Sequence, residues 1–262
     1  MLSDQRRERL DISRLVAEAQ AIVHAAATVY LHHLGQWCMG VLVHGSALKG
    51  DYIPGCSDID FQLYLEPAAF TQKGQLPLEV CLALQRDLAQ IEPFPFQYIQ
   101  GHALPPSPWK GYLGPIPGAY HVVAGTLPIP EATEEELRLS ARTALEKLDP
   151  PMAYLTEGLL EHGGGRLAYR VRLLCTDVWP TLYHILTIQQ GNGLGMWNLP
   201  KRKAMDLLPK ESASAQTLLA FYQAIRTYYP EEAPVEEGLR AIESGVAFLK
   251  SVKSWWNEIN AS

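Results

Sequence analysis

Two aspartates, Asp58 and Asp60, sit two residues apart in the apolar run Ile59–Leu65 ("IDFQLYL"). In a strand, residues i and i+2 share a face, so the two carboxylates stand side by side on a surface otherwise built from Ile, Phe and Leu. Upstream, the apolar run "CMGVLVHG" ends on Gly45 and Ser46, separated from Asp58 by a loop rich in glycine and small residues. A glycine at a strand end lets backbone amides approach an anion closely, and adjacent N–H groups with a serine hydroxyl cradle phosphate. Paired carboxylates are hard oxygen ligands suited to Mg2+, which keeps some waters and bridges to phosphate oxygens. The set therefore reads as a phosphate cradle, a spacer and metal carboxylates. The alternative is plainer: Asp58 and Asp60 cap loop amides and Gly45 only turns the chain.

The surrounding elements are those that place such a set. Leu15, Val16, Ala19, Ile22, Val23, Ala26, Val29 and Tyr30 recur at helical spacing and predict a long amphipathic first helix ending near Gly35. Strands are expected at "CMGVLVHG", at Ile59–Leu65, at "FQYIQG" and at "YHVVAG". "PLEVCLALQRDLAQIE" reads as a helix with Pro77 in its first turn. "TEEELRLSARTALEKL" reads as another, where Thr133 and Glu136 match a capping box. Between the third and fourth strands runs the proline- and glycine-rich "GHALPPSPWKGYLGPIPGAY". It is expected as a binding loop or a surface crossover, with Trp109, Tyr112 and Tyr120 offering stacking surface for an acceptor.

From Pro150 onward strand signals stop. Helical spacing recurs near 152–162, 165–190, 200–208, 212–229 and 234–258, and "GNGLGMW" reads as a turn. The expected fold class is α+β: a short mixed sheet flanked by helices over 1–150, then an all-helical bundle over 151–262.

Composition bounds the rest. The 262 residues are 47% hydrophobic and 19% charged, ordinary for a globular chain with a sizeable core, and the net charge of −6 argues against a broad nucleic-acid surface. Cys38, Cys56, Cys81 and Cys175 are scattered without a C-x-x-C pair, which favours reduced, structural thiols. The opening "MLSDQRRERLDISRL" lacks the apolar run of a signal peptide, and Glu18, Gln20 and three histidines break the apolar residues of 15–34. A soluble, cytoplasmic chain with no membrane partner is expected.

The order Gly45-Ser46, eleven residues, then Asp58-Ile59-Asp60, with Ser57 completing "SDID", resembles the signature of the DNA polymerase β-type nucleotidyltransferase superfamily. The helical half, through "VRLLCTDVWPTLYHILT" and "LPKRKAMDLLP", looks similar to the C-terminal domain of aminoglycoside adenylyltransferases. The resemblance implies transfer of a nucleoside monophosphate, AMP from ATP, to a hydroxyl of a small molecule, aminoglycoside-like in that branch. It implies Mg2+ on Asp58 and Asp60, nucleotide contacts from Gly45, Ser46 and Ser57, and a triphosphate contact from Lys201, which matches the branch's Lys three residues ahead of an Ala, here Ala204. Read from the residues alone, Lys201, Arg202 and Lys203 crowd a helix start, where cations oppose the macrodipole and an anionic ligand would relieve them.

Members that transfer nucleotide usually carry a third carboxylate on the next long strand. Placing "FQYIQG" there puts Gln97 at that position, and an amide cannot take a proton at neutral pH. Glu92 in another register, or His102 or His121 flanking the proline-rich loop, remain candidate bases. Two further readings stay open: an adenylyltransferase that modifies a hydroxyl on a partner protein, and a nucleotide-binding regulatory module with weak or no transfer.

Overall fold

The structure, a computed structural model, describes residues 10–163, 165–229 and 234–261; residues 1–9, part of the opening stretch in which no signal peptide was expected, lie outside them. The chain divides into two compact units between Ala132 and Thr133.

The first unit is built on a four-stranded mixed sheet. Helix α1 (Ala17–Leu34) precedes β1 (Cys38–His44), the short helix α2 (Ser46–Lys49) and β2 (Ile59–Leu65). Helix α3 (Leu78–Leu88), β3 (Ile99–Leu104) and β4 (Tyr120–Gly125) follow. The sheet order is β3-β2-β1-β4, with β1 antiparallel to both β2 and β4, and β2 parallel to β3. The register pairs Val43 with Phe61 and His121, and His44 with Asp60 and Tyr120. It also sets Asp60 beside Gln100 on β3.

Alternate residues divide this sheet into two faces. Val41, Val43, Ile59, Phe61, Leu63 and Val123 form one core with the buried stripe of α1, Ala19, Ile22, Val23, Ala26, Tyr30 and Leu34. The Tyr30 and Phe61 rings meet edge-on with centroids 5.1 Å apart. Gly101 on β3 is small because of that helix: a Cβ there would stand 2.6 Å from the Tyr30 hydroxyl. On the other face Leu42, Tyr64 and Leu104 make a second, smaller cluster, covered by Tyr112, Leu127 and Ile129. Tyr112 of the proline-rich loop thus packs on that face, and Tyr120, the partner of His44, stands at the margin of the cluster.

The third strand begins later than the sequence suggested, at Ile99 within "FQYIQG". Phe96 is buried ahead of it, and Gln97 N–H donates to Ser57 O at 2.7 Å, so the residues before Ile99 are held by the β2 loop.

The second unit is all helical: α4 (Glu134–Lys147), α5 (Ala153–Gly158), α6 (Arg166–Gln190), α7 (Gly193–Trp197), α8 (Lys201–Met205), α9 (Ala213–Tyr228) and α10 (Val235–Ala261). The capping box at Thr133 and Glu136 is formed: each side chain bonds the other's backbone N–H. The expected divide at 150/151 falls after this helix, whose Leu137, Ala141 and Leu145 are buried and which packs on α6. "GNGLGMW" holds a helix, α7, where a turn was expected. Asn192 caps it through Gly195 N–H, and the Glu134 carboxylate accepts from the Gly193 and Leu194 amides at 2.6 and 2.9 Å. Among the described residues, no helix is long and apolar enough to cross a membrane. The fold class is α+β, a mixed sheet with helices followed by a helical region.

Candidate functional site

The open end of the second sheet face gathers polar side chains from all four strands. Register alone puts His44, Asp60, Gln100 and Tyr120 in one row across the sheet. Asp58 lies two residues before Asp60, and Tyr98 and His102 lie two residues on either side of Gln100, so all share that face.

β1 leaves the sheet through Gly45, whose φ of +75° lies in the region that favours glycine. A Cβ at this position would stand 2.8 Å from Asp60 Oδ2. The first turn of α2 therefore starts directly beside the Asp60 carboxylate, which a side chain at position 45 would push aside. Ser46, the first residue of α2, is buried, and its hydroxyl points to Asp58 O at 3.4 Å.

The loop between α2 and β2 is stitched rather than loose. Ser57 Oγ accepts from Ile53 N–H at 2.8 Å, Gly55 N–H donates to Pro95 O at 2.9 Å, and Ile53 and Cys56 are buried. These bonds fix where Asp58 enters the strand. Its carboxylate is oriented in turn by Tyr98, whose hydroxyl donates to Asp58 Oδ2 at 2.8 Å. Oδ1 stays outside that bond.

His44 stands between these groups. Burial pushes its pKa down to about 4, with the charges of Lys49 and His102 adding to the effect and Asp58 opposing it. The imidazole is neutral near pH 7, so this centre gains no cation from it.

The remaining sequence candidates fall elsewhere. Gln97 is exposed and precedes β3; the residue beside Asp60 is Gln100, again an amide. Glu92 is exposed in the α3–β3 connection, where its Oε1 accepts from Phe94 N–H at 3.1 Å. His121 lies on the opposite face, in register with Val43, and its Nε2 bonds Asp11 O at 2.9 Å. His102 is on the polar face and exposed. Lys201 opens α8 in the helical unit, its ammonium 5.7 Å from the centre of the Trp179 ring.

Of the aromatics, Tyr112 reaches the Tyr64 hydroxyl at 3.2 Å and Trp109 meets the Tyr112 ring edge-on at 4.9 Å, with Trp109 exposed. Tyr120 donates to Glu131 at 2.7 Å. Tyr98 and Gln100 escaped the sequence reading. Their signal was the alternation Tyr98, Gln100, His102, three polar side chains at period two.

The donor set suits a hard divalent cation in part. Asp58 and Asp60 supply carboxylate oxygens on one face, yet among the described residues no three His, Cys, Asp or Glu side chains group as a full metal site. Two carboxylates fit Mg2+ when water and phosphate oxygens complete its shell, which is how that ion is usually held.

No protein-family model matches the chain, and no curated protein sequence does. Among solved structures the chain is similar to spectinomycin adenyltransferase AAD(9) from Enterococcus faecialis, determined with ATP and spectinomycin. The identity is 13%, the match covers 92% of this chain and 99% of that one, and the TM-score is 0.49.

Proposed function

We propose that the chain is a Mg2+-dependent nucleotidyltransferase that moves a nucleoside monophosphate, AMP from ATP, onto a hydroxyl of a small molecule. The observation that carries this reading is the side-by-side placement of Asp58 and Asp60 against a glycine-led helix start. Gly45 is the residue that lets the two come together without a side chain between them. Asp58 and Asp60 would hold the metal, and the amides following Gly45, with the Ser46 hydroxyl, would hold the terminal phosphates. A bound Mg2+ would supply neutralisation of charge on the triphosphate. Tyr98 then serves as a positioning residue that holds the Asp58 carboxylate in one orientation. The helical half's resemblance to aminoglycoside adenylyltransferases supports a hydroxylated, cationic small molecule as acceptor and a triphosphate contact from Lys201.

One observation favours a second reading. Gln100 occupies the place beside Asp60, so a nucleotide-binding module without transfer also fits that row. Incubation with ATP, Mg2+ and a panel of aminoglycosides and aminocyclitols, read by mass spectrometry, separates the two. The transferase reading expects a small molecule heavier by one AMP group and release of pyrophosphate. Nucleotide bound but no adduct on any acceptor, and no AMP formed, would favour the binding module. Label appearing on protein would move the acceptor class to a protein hydroxyl.

A further inference from the structure

The edge strand of the sheet carries a row of hydrogen bonds that runs from Tyr98 through Gln100 to His102. Tyr98 Oη lies 2.8 Å from Asp58 Oδ2 and 3.0 Å from Gln100 Oε1, and Gln100 Nε2 lies 2.6 Å from His102 Nε2. A phenol has one proton and an ionised carboxylate has none, so Tyr98 cannot donate to both oxygens. The 2.6 Å contact is also short for two nitrogens.

Exchanging the oxygen and nitrogen of the Gln100 amide, two groups of nearly the same shape, gives each contact one donor and one acceptor and makes the 2.6 Å contact a short N–H···O bond. Tyr98 donates to Asp58, Gln100 Nε2 donates to Tyr98, and Gln100 Oε1 accepts from His102 Nε2–H. The neutral His102 ring in this row carries its proton on Nε2, and its Nδ1 lone pair lies outside the row.

We propose that His102 is the general base that deprotonates the acceptor hydroxyl, with Gln100 as the positioning residue that fixes its tautomer. The inference rests on the nucleotidyltransferase reading above and deepens it. His102 sits one strand repeat beyond Gln100, about 6.6 Å along β3 from the level of Asp60. That span admits an acceptor oxygen within hydrogen-bond reach of the imidazole and still beside the carboxylate pair. β3 is the edge of the sheet and His102 is exposed, so an acceptor can arrive from that side.

In the step, the acceptor O–H bond breaks and its proton goes to His102 Nδ1. The oxygen forms a bond to the α-phosphorus, the bond from that phosphorus to the bridging oxygen breaks, and pyrophosphate leaves. The imidazolium then returns its proton to solvent. The amide at position 100 has a purpose in this arrangement. A carboxylate accepting from His102 Nε2–H would stabilise the imidazolium, whereas an amide fixes the ring without adding a charge. The charged and titratable groups facing His102 are Asp58 and Asp60 on β2, His44 on β1, Tyr98 on its own strand, and Tyr64 with Tyr112 beyond Gln62.

Because the acceptor is unidentified, the test uses water in its place and follows AMP formation from Mg2+·ATP. His102→Ala should lower the rate at saturating ATP by about 100-fold or more, the low end of what a positioned base contributes. ATP affinity by calorimetry should stay within about two-fold, because a base is not a ground-state contact. Added imidazole should restore part of the rate. Gln100→Glu should move the acid limb of the pH–rate profile to higher pH, which a purely structural role would not do. Ring-nitrogen NMR on the unliganded protein, which needs no turnover, should find Nε2 protonated. An unchanged rate in His102→Ala with ATP still bound would overturn the base alone, as would an Nδ1–H tautomer. Wild-type protein that binds no Mg2+·ATP would overturn the transferase reading and the base with it.

Discussion

Along β2, Ile59, Phe61 and Leu63 are buried against α1, while Asp60 and Gln62 between them face the other way and are only half-buried. The same alternation runs through β1, where Val43 packs into the core and His44 stands next to Asp60. One face is thus apolar packing across three strands and a helix, with the buried His121 as its polar exception. The other is apolar only at its far end, where Tyr112, Leu127 and Ile129 cover Leu42, Tyr64 and Leu104. At its near end it gathers the half-buried Asp58, Asp60, His44 and Gln100, with His102 exposed beside them. The contrast shows how a short sheet supports a site without weakening itself. Burial on the α1 face supplies the stability, so the near end of the other face can hold like charges two residues apart.

Substitution on the packed face should separate the two roles most strongly. Phe61 is fully buried, and Phe61→Ala should cost about 3–5 kcal/mol of stability, the range for deleting a core aromatic. Urea unfolding would read this as a lower midpoint. In the fraction that stays folded, affinity for Mg2+·ATP should change by no more than about two-fold.

A smaller effect comes from protons. His44 on the polar face and His184 in the helical unit both have pKa values lowered to about 4, in each case chiefly by burial. An unfolded histidine titrates near 6.5. Above that pH neither state binds the proton and the two groups contribute nothing. Between about 6.5 and 4 the unfolded chain takes up protons that the folded chain refuses. Stability therefore falls as pH drops through that window, by at most about 1.4 kcal/mol per pH unit for each histidine. Unfolding curves at stepped pH would show the slope, and His44→Gln should remove its share while leaving that of His184.

Much of this was legible because it is periodic. The bounds of β2 match the apolar run Ile59–Leu65, and the α1 stripe and the Thr133 capping box are local patterns written in neighbouring residues. The start of β3 was not. "FQYIQG" alternates as a strand would, but Phe96 is buried ahead of the strand and Gln97 is tied to Ser57, a bond across forty residues that no local pattern announces. For the same reason α7 read as a turn: its glycine-rich residues are held helical partly by Glu134, some sixty positions earlier. In the site, the pairing of carboxylates was visible from spacing. The row from Asp58 through Tyr98 and Gln100 to His102 depends on strand order, and only the parallel pairing of β2 with β3 brings it together.

Calorimetric titration of ATP, with and without Mg2+, into the wild-type chain and into Asp58→Asn/Asp60→Asn tests the central claim most directly. Replacing two half-buried carboxylates by amides of the same shape should leave the packed face and the unfolding midpoint nearly unchanged. Wild type should bind ATP in a Mg2+-dependent way, and the double variant should lose that dependence together with at least about 100-fold in affinity, some 2.7 kcal/mol. Equal binding by both proteins, or no binding of any nucleoside triphosphate by wild type, would contradict the assignment of this face to a metal and a nucleotide.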